Sequence, residues 1–138
     1  MIPKAIYDVI VADAGVTVQL GTYDFGIGPK PSVFTSRVIP DDAERTAIRI
    51  EQVTAIPWGT RDARGAEIWV DVNVWGDKVQ SDKALIDLAN DVWRLLDRVD
   101  LTVTGYVSVL CQADAPESIT DADGFPGYVV KCRTKIIE

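Results

Sequence analysis

The chain has 138 residues, of which 47% are hydrophobic and 25% charged, a balance that points to one globular domain over 1–138 rather than a disordered tail. Fourteen Lys and Arg stand against 21 Asp and Glu, a net charge of −7, which argues against base-reading contact with nucleic acid, where cations must neutralise phosphates. Histidine is absent and there are two cysteines; His-based triads, His-containing metal sites, zinc cages and disulfide scaffolds are thereby excluded.

The N-terminus lacks the basic-then-apolar layout of a signal peptide, and no apolar run approaches the ~18–20 residues of a membrane span. Residues 3–13 read as a short helix. Pro3 suits its first turn, Ile2, Ile6, Val9, Ile10 and Asp13 follow helical spacing, and Gly15 is a stop signal. Gly21–Lys30 carries Gly21, Gly26, Gly28 and Pro29 and is the weakest segment for regular structure. Val33–Ile39 reads as a short extended piece that closes at Pro40, and Asp41, Asp42 and Glu44 form a polar connection.

Thr46–Ile56 is rich in strand formers, with Ile48 and Ile50 alternating with Arg49 and Glu51. The alternation changes phase at Gln52–Val53, which predicts a bulge or a twisted end. Pro57–Gly65 is a turn by composition. Ala66–Trp75 is the clearest strand: Ile68, Val70, Val72 and Val74 share one face, and Glu67, Trp69, Asp71, Asn73 and Trp75 share the other.

Ser81–Arg98 is the main helix, with Ser81 as N-cap and Asp82 near the positive end of the helix dipole. Leu85, Leu88, Ala89, Val92, Leu95, Leu96 and Val99 form its apolar stripe, and Trp93 stands at the stripe's edge. Two more strands follow, Leu101–Cys111 and Tyr128–Ile137, joined by an acidic loop, Gln112–Gly127. The expected fold is therefore α+β: a mainly antiparallel sheet of about four strands, packed by one long helix and a short N-terminal helix.

The recognisable chemical motifs fail on detail. Gly26-x-Gly28 leads to Pro31 where a dinucleotide loop needs glycine, and no phosphate loop of the GxxxxGK[S/T] form is present. Asp121-Ala-Asp123-Gly124 resembles a calcium-loop fragment, but Ile119 and Val130 occupy the flanking ligand positions. Cys111 and Cys132 could face each other across a hairpin; with no secretion signal, a buried and reduced pair is the expectation. No cofactor, metal or catalytic residue is expected.

Two surface signals remain. Trp69 and Trp75 lie in the polar phase of their strand, and such rings need a cover from this chain or another. Lys131, Arg133 and Lys135 make a basic stripe on the last strand of an acidic chain, open either to cross-strand pairing with Glu51, Glu67 or Asp71 or to a neighbouring subunit.

Arg37-Val38-Ile39-Pro40, the extended TAIRIEQV run, the strand AEIWVDVNVWG, the helix ALIDLANDVWRLLD and the closing strand YVVKCRTKII together resemble the tail completion (tail terminator) family of long-tailed bacteriophages and gene-transfer particles. The matching residues are Val72, Val74 and Trp75, then Ala84, Leu88, Ala89, Val92, Leu95 and Leu96. The resemblance implies a non-enzymatic virion protein, assembled in the host cytoplasm. It implies a ring, usually a hexamer, at the head-proximal end of the tail tube, which ends tube polymerisation and meets the head connector while DNA passes through without specific binding. No membrane partner is implied.

On that reading the candidate subunit or tail contacts are Trp58, Arg61, Arg64, Trp69, Trp75, Lys131, Arg133 and Lys135. The candidate channel-facing acids are Asp41, Asp42, Asp114, Glu117, Asp121 and Asp123, because a negative lumen repels phosphate. Two other readings compete: a head-completion or connector adaptor, and a small α+β ligand-binding domain or enzyme with its site under Gly21–Lys30.

Overall fold

The structure is a computed structural model, in which residues 2–35, 39–40, 42–59, 64–77, 81–106 and 108–137 are described. Helix α1 (Ile2–Val11) opens the chain and buries Ile2, Ala5, Ile6 and Ile10 along one face. It ends two residues before the expected stop. Asp13 turns away from helical geometry and caps a second, four-residue helix, α2 (Ala14–Thr17), accepting from the Val16 N–H at 3.0 Å. A short carboxylate is better used at a cap than in a helix interior, and Gly15 consequently lies inside α2 rather than at a stop.

The segment expected to lack regular structure forms a small hairpin, β1 (Thr22–Asp24) against β2 (Pro29–Pro31). Asp24 Oδ1 closes it by accepting from the N–H groups of Gly26 and Gly28, at 2.8 and 3.2 Å, and both glycines have positive φ. Only glycine adopts that backbone without strain, so the glycines here serve a turn.

The central sheet has six strands in the order β3–β4–β5–β8–β6, with β7 also on β8. They are β3 (Val33–Phe34), β4 (Ala47–Gly59), β5 (Arg64–Trp75), β6 (Ser108–Ala113), β7 (Glu117–Thr120) and β8 (Pro126–Ile137). The α+β class stands, with corrections in detail: among the described residues the sheet has six strands rather than four, with a separate two-stranded hairpin, three helices rather than two, and one parallel pair, β3 with β4.

The β4–β5 hairpin keeps the expected bulge, since Gln52 pairs with Val70 and Thr54 with Trp69, leaving Val53 as the extra residue. Its turn is shorter than composition suggested. Pro57 opposes Ala66, Trp58 opposes Gly65 and Gly59 opposes Arg64. A strand can carry Pro57 because β4 is an outer strand there.

Helix α3 (Asp82–Leu96) buries Leu85, Leu88, Ala89, Val92 and Leu96 and lies across β8, β5 and β6 on the same side as α1. Ser81 takes the N-cap position but makes no side-chain capping bond. Asp82 instead accepts from the Tyr128 hydroxyl at 2.9 Å, tying the helix start to β8. The Trp93 indole donates to the Ala113 carbonyl at 3.0 Å, which places the edge ring over the β6 end.

The expected strand Leu101–Cys111 is divided. Its first residues run beside β6, with Leu101 N–H donating to Val109 and Cys111 N–H to Val99, and a turn at Gly105, with φ of 93°, separates the two parts. The acidic loop is also more regular than expected. β7 and β8 make a hairpin whose turn is held by Asp121 Oδ1, which accepts from the Asp123 and Phe125 N–H groups at 2.9 and 2.8 Å.

The core between sheet and helices contains Ile48, Ile50, Val70, Val72, Val74, Val130 and Cys132, each 0% exposed, against the stripes of α1 and α3. Both cysteines are free and buried. Cys111 opposes Thr134 and Cys132 opposes Ala113, so the thiols are diagonal neighbours on the helix side. Hydrogen bonding between them and burial push the Cys132 thiol well above its ordinary range, which removes the thiolate that reactivity needs.

Candidate functional site

Residues directly opposed across antiparallel strands share a face, so the register defines the side of the sheet turned away from the helices. Five rows of residues cross it from Ala47 to Ile56. The first two hold Ala47, Trp75 and Gly127, then Arg49, Asn73 and Val129. The middle row holds Glu51, Asp71 and Lys131. The last two hold Thr54, Trp69, Arg133 and Gln112, then Ile56, Glu67, Lys135 and Leu110.

The chain itself closes the first end. Ala47, Asn73 and Val129 are buried, and Ala47 packs with Phe34 and Ala43 in a small second core joined by Tyr23 and Ile39. Tyr23 meets Phe25 and Phe34 edge to face beside it and Phe25 is tilted against Phe34, with ring centroids 4.9 to 5.5 Å apart. Gly21 meets the backbone of Glu44 and Arg45 so closely that a Cβ would lie 2.3 Å from the Glu44 carbonyl oxygen. Trp75 lies over Gly127, where a Cβ would come within 2.5 Å of the indole ring. The cover for Trp75 is thus at least partly its own chain.

The middle row is a charge exchange. Arg49 bonds Glu51 at 2.9 Å and Lys131 pairs with Glu117 at 3.4 Å. Burial raises the Asp71 carboxyl above its ordinary value; Lys131 opposes that shift and Glu51 adds to it. A hollow of about 710 Å³ opens beside the bulge between Pro3, Thr35, Ile50, Glu51, Gln52, Val53 and Asp71. Its two carboxylates have no basic side chain beside them in the lining, whose one hydroxyl is that of Thr35, and no cluster of metal-ligating residues exists among the described residues.

The last two rows are open. Ile56 is 54% and Leu110 40% exposed, and Trp69 is half-buried with the Arg133 guanidinium 5.3 Å from its ring centroid. Arg133 and Lys135 are exposed, with Glu67 opposite Lys135. The bulge puts Ile56 here: after one extra residue, the next apolar positions of β4 fall on the opposite face. Sequence periodicity drew attention to Trp69. Ile56 carries no such mark in the sequence, whereas Leu110 stands in the opposite phase to Val109 and Cys111, the same kind of signal.

Of the other candidates, the backbones of Trp58 and Arg64 belong to the β4–β5 hairpin, while Arg61 and Asp41 lie outside the described residues. Asp42 is exposed in a turn. Asp114, Glu117, Asp121 and Asp123 gather at the β6–β7 junction and the β7–β8 hairpin. There Glu117 is engaged by Lys131, and Asp121 by its own turn. Glu117, Asp121 and Asp123 are therefore toward the opposite end of β8 from Arg133 and Lys135, while Asp114, whose N–H donates to the Lys131 carbonyl, lies beside its middle.

No curated protein matches the chain in sequence. The family model for tail completion protein gp17 matches residues 4–137. Among solved structures, a chain from the virion of a native gene transfer agent particle superposes with a TM-score of 0.78 at 14% identity, over 99% of this chain and 94% of that one. At that identity the likeness shows the fold.

Proposed function

Since the chain belongs to the tail completion protein gp17 family and is a structural protein of the phage tail, we propose that it builds a ring at the head-proximal end of the tail tube. The ring, a hexamer, ends tube polymerisation and offers a surface to the head connector. The observation that carries this reading is the unequal cover of the outer sheet face. One end is sealed by the chain's own residues, whereas the other presents Ile56, Trp69 and Leu110 among Glu67, Arg133 and Lys135. An apolar strip rimmed by charges of both signs is what a subunit contact needs.

The acidic balance suits passage of DNA, because a negative lumen repels phosphate and lets the duplex slide. Of the described channel candidates, Asp42, Asp114, Glu117 and Asp123 are exposed and can supply such a lining. Tail-tube protein polymerised with and without the chain, imaged by negative stain, tests the proposal. Tubes capped at one end by a ring, with length arrested, support it; tubes that grow unaltered remove it. Native mass spectrometry of the capped particles gives the ring number.

A further inference from the structure

The β4–β5 hairpin has a property that the outer-face strip does not explain. β3 pairs with β4 only at Ile48 and Arg49. Past Arg49, no described strand lies along the outer edge of β4. From Gln52 to Gly59 every side chain described is exposed, and the sequence QVTAIPWG contains no charge. Val53 is 57% and Ile56 54% exposed. A long, uncharged edge of this kind is a template for another strand, and free monomers blunt such edges with Lys, Glu or an early break. Here the blunting devices are the bulge at Val53 and Pro57 near the strand's end, and the edge between them carries no charge.

Charge selects the occupant. The two ends of β8 differ in sign: Arg133 and Lys135 lie beside the tip half of the β4–β5 hairpin, opposite Trp69 and Glu67, whereas Glu117, Asp121 and Asp123 stand at the β7–β8 hairpin. Arg64, opposite Gly59, belongs to the same end. Two copies meeting by like ends repel each other; a head-to-tail meeting puts the basic hairpin of one against the acidic hairpin of the next. Such heterologous contacts repeat, and they close into a ring where the rotation allows.

We propose that the outer edge of β4, from Gln52 to Gly59, is the docking strand for a second copy of this chain, which presents its acidic β7–β8 end and extends the sheet by strand addition. This rests on the ring reading and names the contact that builds the ring. Burial of Val53 and Ile56 supplies the apolar part, and the opposed charges set direction and on-rate.

The test uses the full chain and follows assembly in two settings, by sedimentation velocity over a concentration series and by capping of tail tubes. Val53→Lys and Ile56→Lys are expected to raise the concentration needed for assembly at least about tenfold, with melting temperature unchanged because both sites are exposed. Asp123→Lys is expected to do the same, and salt to weaken assembly of the wild type. Val18→Lys, at an 81% exposed position on the connection after α2, is the control and is expected to change nothing. If the wild type forms rings and the edge variants form them equally well, the docking strand is overturned and the ring stands. If Asp123→Lys alone has no effect, the acidic occupant is overturned. If the wild type neither associates nor caps tubes, the ring reading falls and the docking strand with it.

Discussion

On β5, Ile68, Val70, Val72 and Val74 point toward α3 and are at most 5% exposed, while Glu67, Trp69 and Asp71, on the alternate positions, are half-buried. The same twelve-residue strand thus has one face completed inside the chain and one completed only in part. The helix-side face is closed because α3 brings a stripe of matching width, Leu85, Leu88, Ala89, Val92 and Leu96. The outer face has no helix. It is closed where the chain between β2 and β4 folds back over Ala47, and open where the β4–β5 hairpin runs past that cover. The helix-side face therefore accounts for the stability of the subunit, and the open half of the outer face is where association has surface to gain.

The sharpest way to break this contrast is to cut into each face. Leu88→Ala removes a side chain 1% exposed beneath the helix and is expected to cost about 2–5 kcal/mol, read as a lower urea midpoint with an unchanged slope. A smaller loss than this range would mean that the helix-side face is loosely packed. Gly127→Ala tests the closed end of the outer face. Its Cβ would meet Trp75 at 2.5 Å and the Val74 carbonyl oxygen at 2.9 Å, and the backbone contact cannot be relieved by a rotamer change. A loss of about 1–3 kcal/mol is expected, with Trp75→Ala in the same chain recovering part of it.

Trp69→Ala probes the open half. The ring's contact with Arg133 is of the exposed kind, worth about 0.5–1 kcal/mol, so the thermal melt of the subunit should change little while assembly weakens. A large drop in melting temperature with assembly intact would move Trp69 from the contact surface to the core.

The smallest effect is expected at Asp71. Burial raises its carboxyl, so the stability it contributes is complete below the ordinary carboxylate range and is lost as pH rises through the raised folded value. Ionised Asp71 therefore works against the fold at neutral pH. Asp71→Asn is expected to keep or raise the melting temperature at neutral pH and to flatten the fall between acidic and neutral pH. Lys131 retains Glu117 as a partner at 3.4 Å. A lowered neutral-pH melting temperature would show instead that the pairing with Lys131 outweighs desolvation.

How legible these features are in the sequence depends on how many residues repeat the same signal. The α3 stripe recurs over four turns and the β5 alternation over five pairs, so both can be read within a residue or two. The bulge at Val53 is legible because Ile48 and Ile50 set a phase that the following residues leave. β7 is not legible: Glu117-Ser118-Ile119-Thr120 has no apolar alternation and is a strand only because the edge of β8 supplies its backbone partners. β1 and β2 are three residues each, with Pro29 and Pro31 in the second, too short for any period to appear. Of the open strip, Trp69 is visible as a ring in a polar phase. Ile56 is not, since its face depends on a register shift that acts between strands.

The sequence by itself determined the α+β class, the strand with two unlike faces, the long amphipathic helix, the absence of His-based chemistry and the likeness to the tail completion family. These are local or compositional properties, carried by residues close together in the chain. Tertiary structure decided which half of the outer face is covered. It brought Phe34, Ala43 and Ala47 together, laid Trp75 on Gly127, separated the acidic and basic ends of β8, and left the β4 edge past Arg49 without a neighbouring strand among the described residues. Each of these depends on which strands lie side by side and in what register, and a one-residue slip in pairing sends every following side chain to the other face.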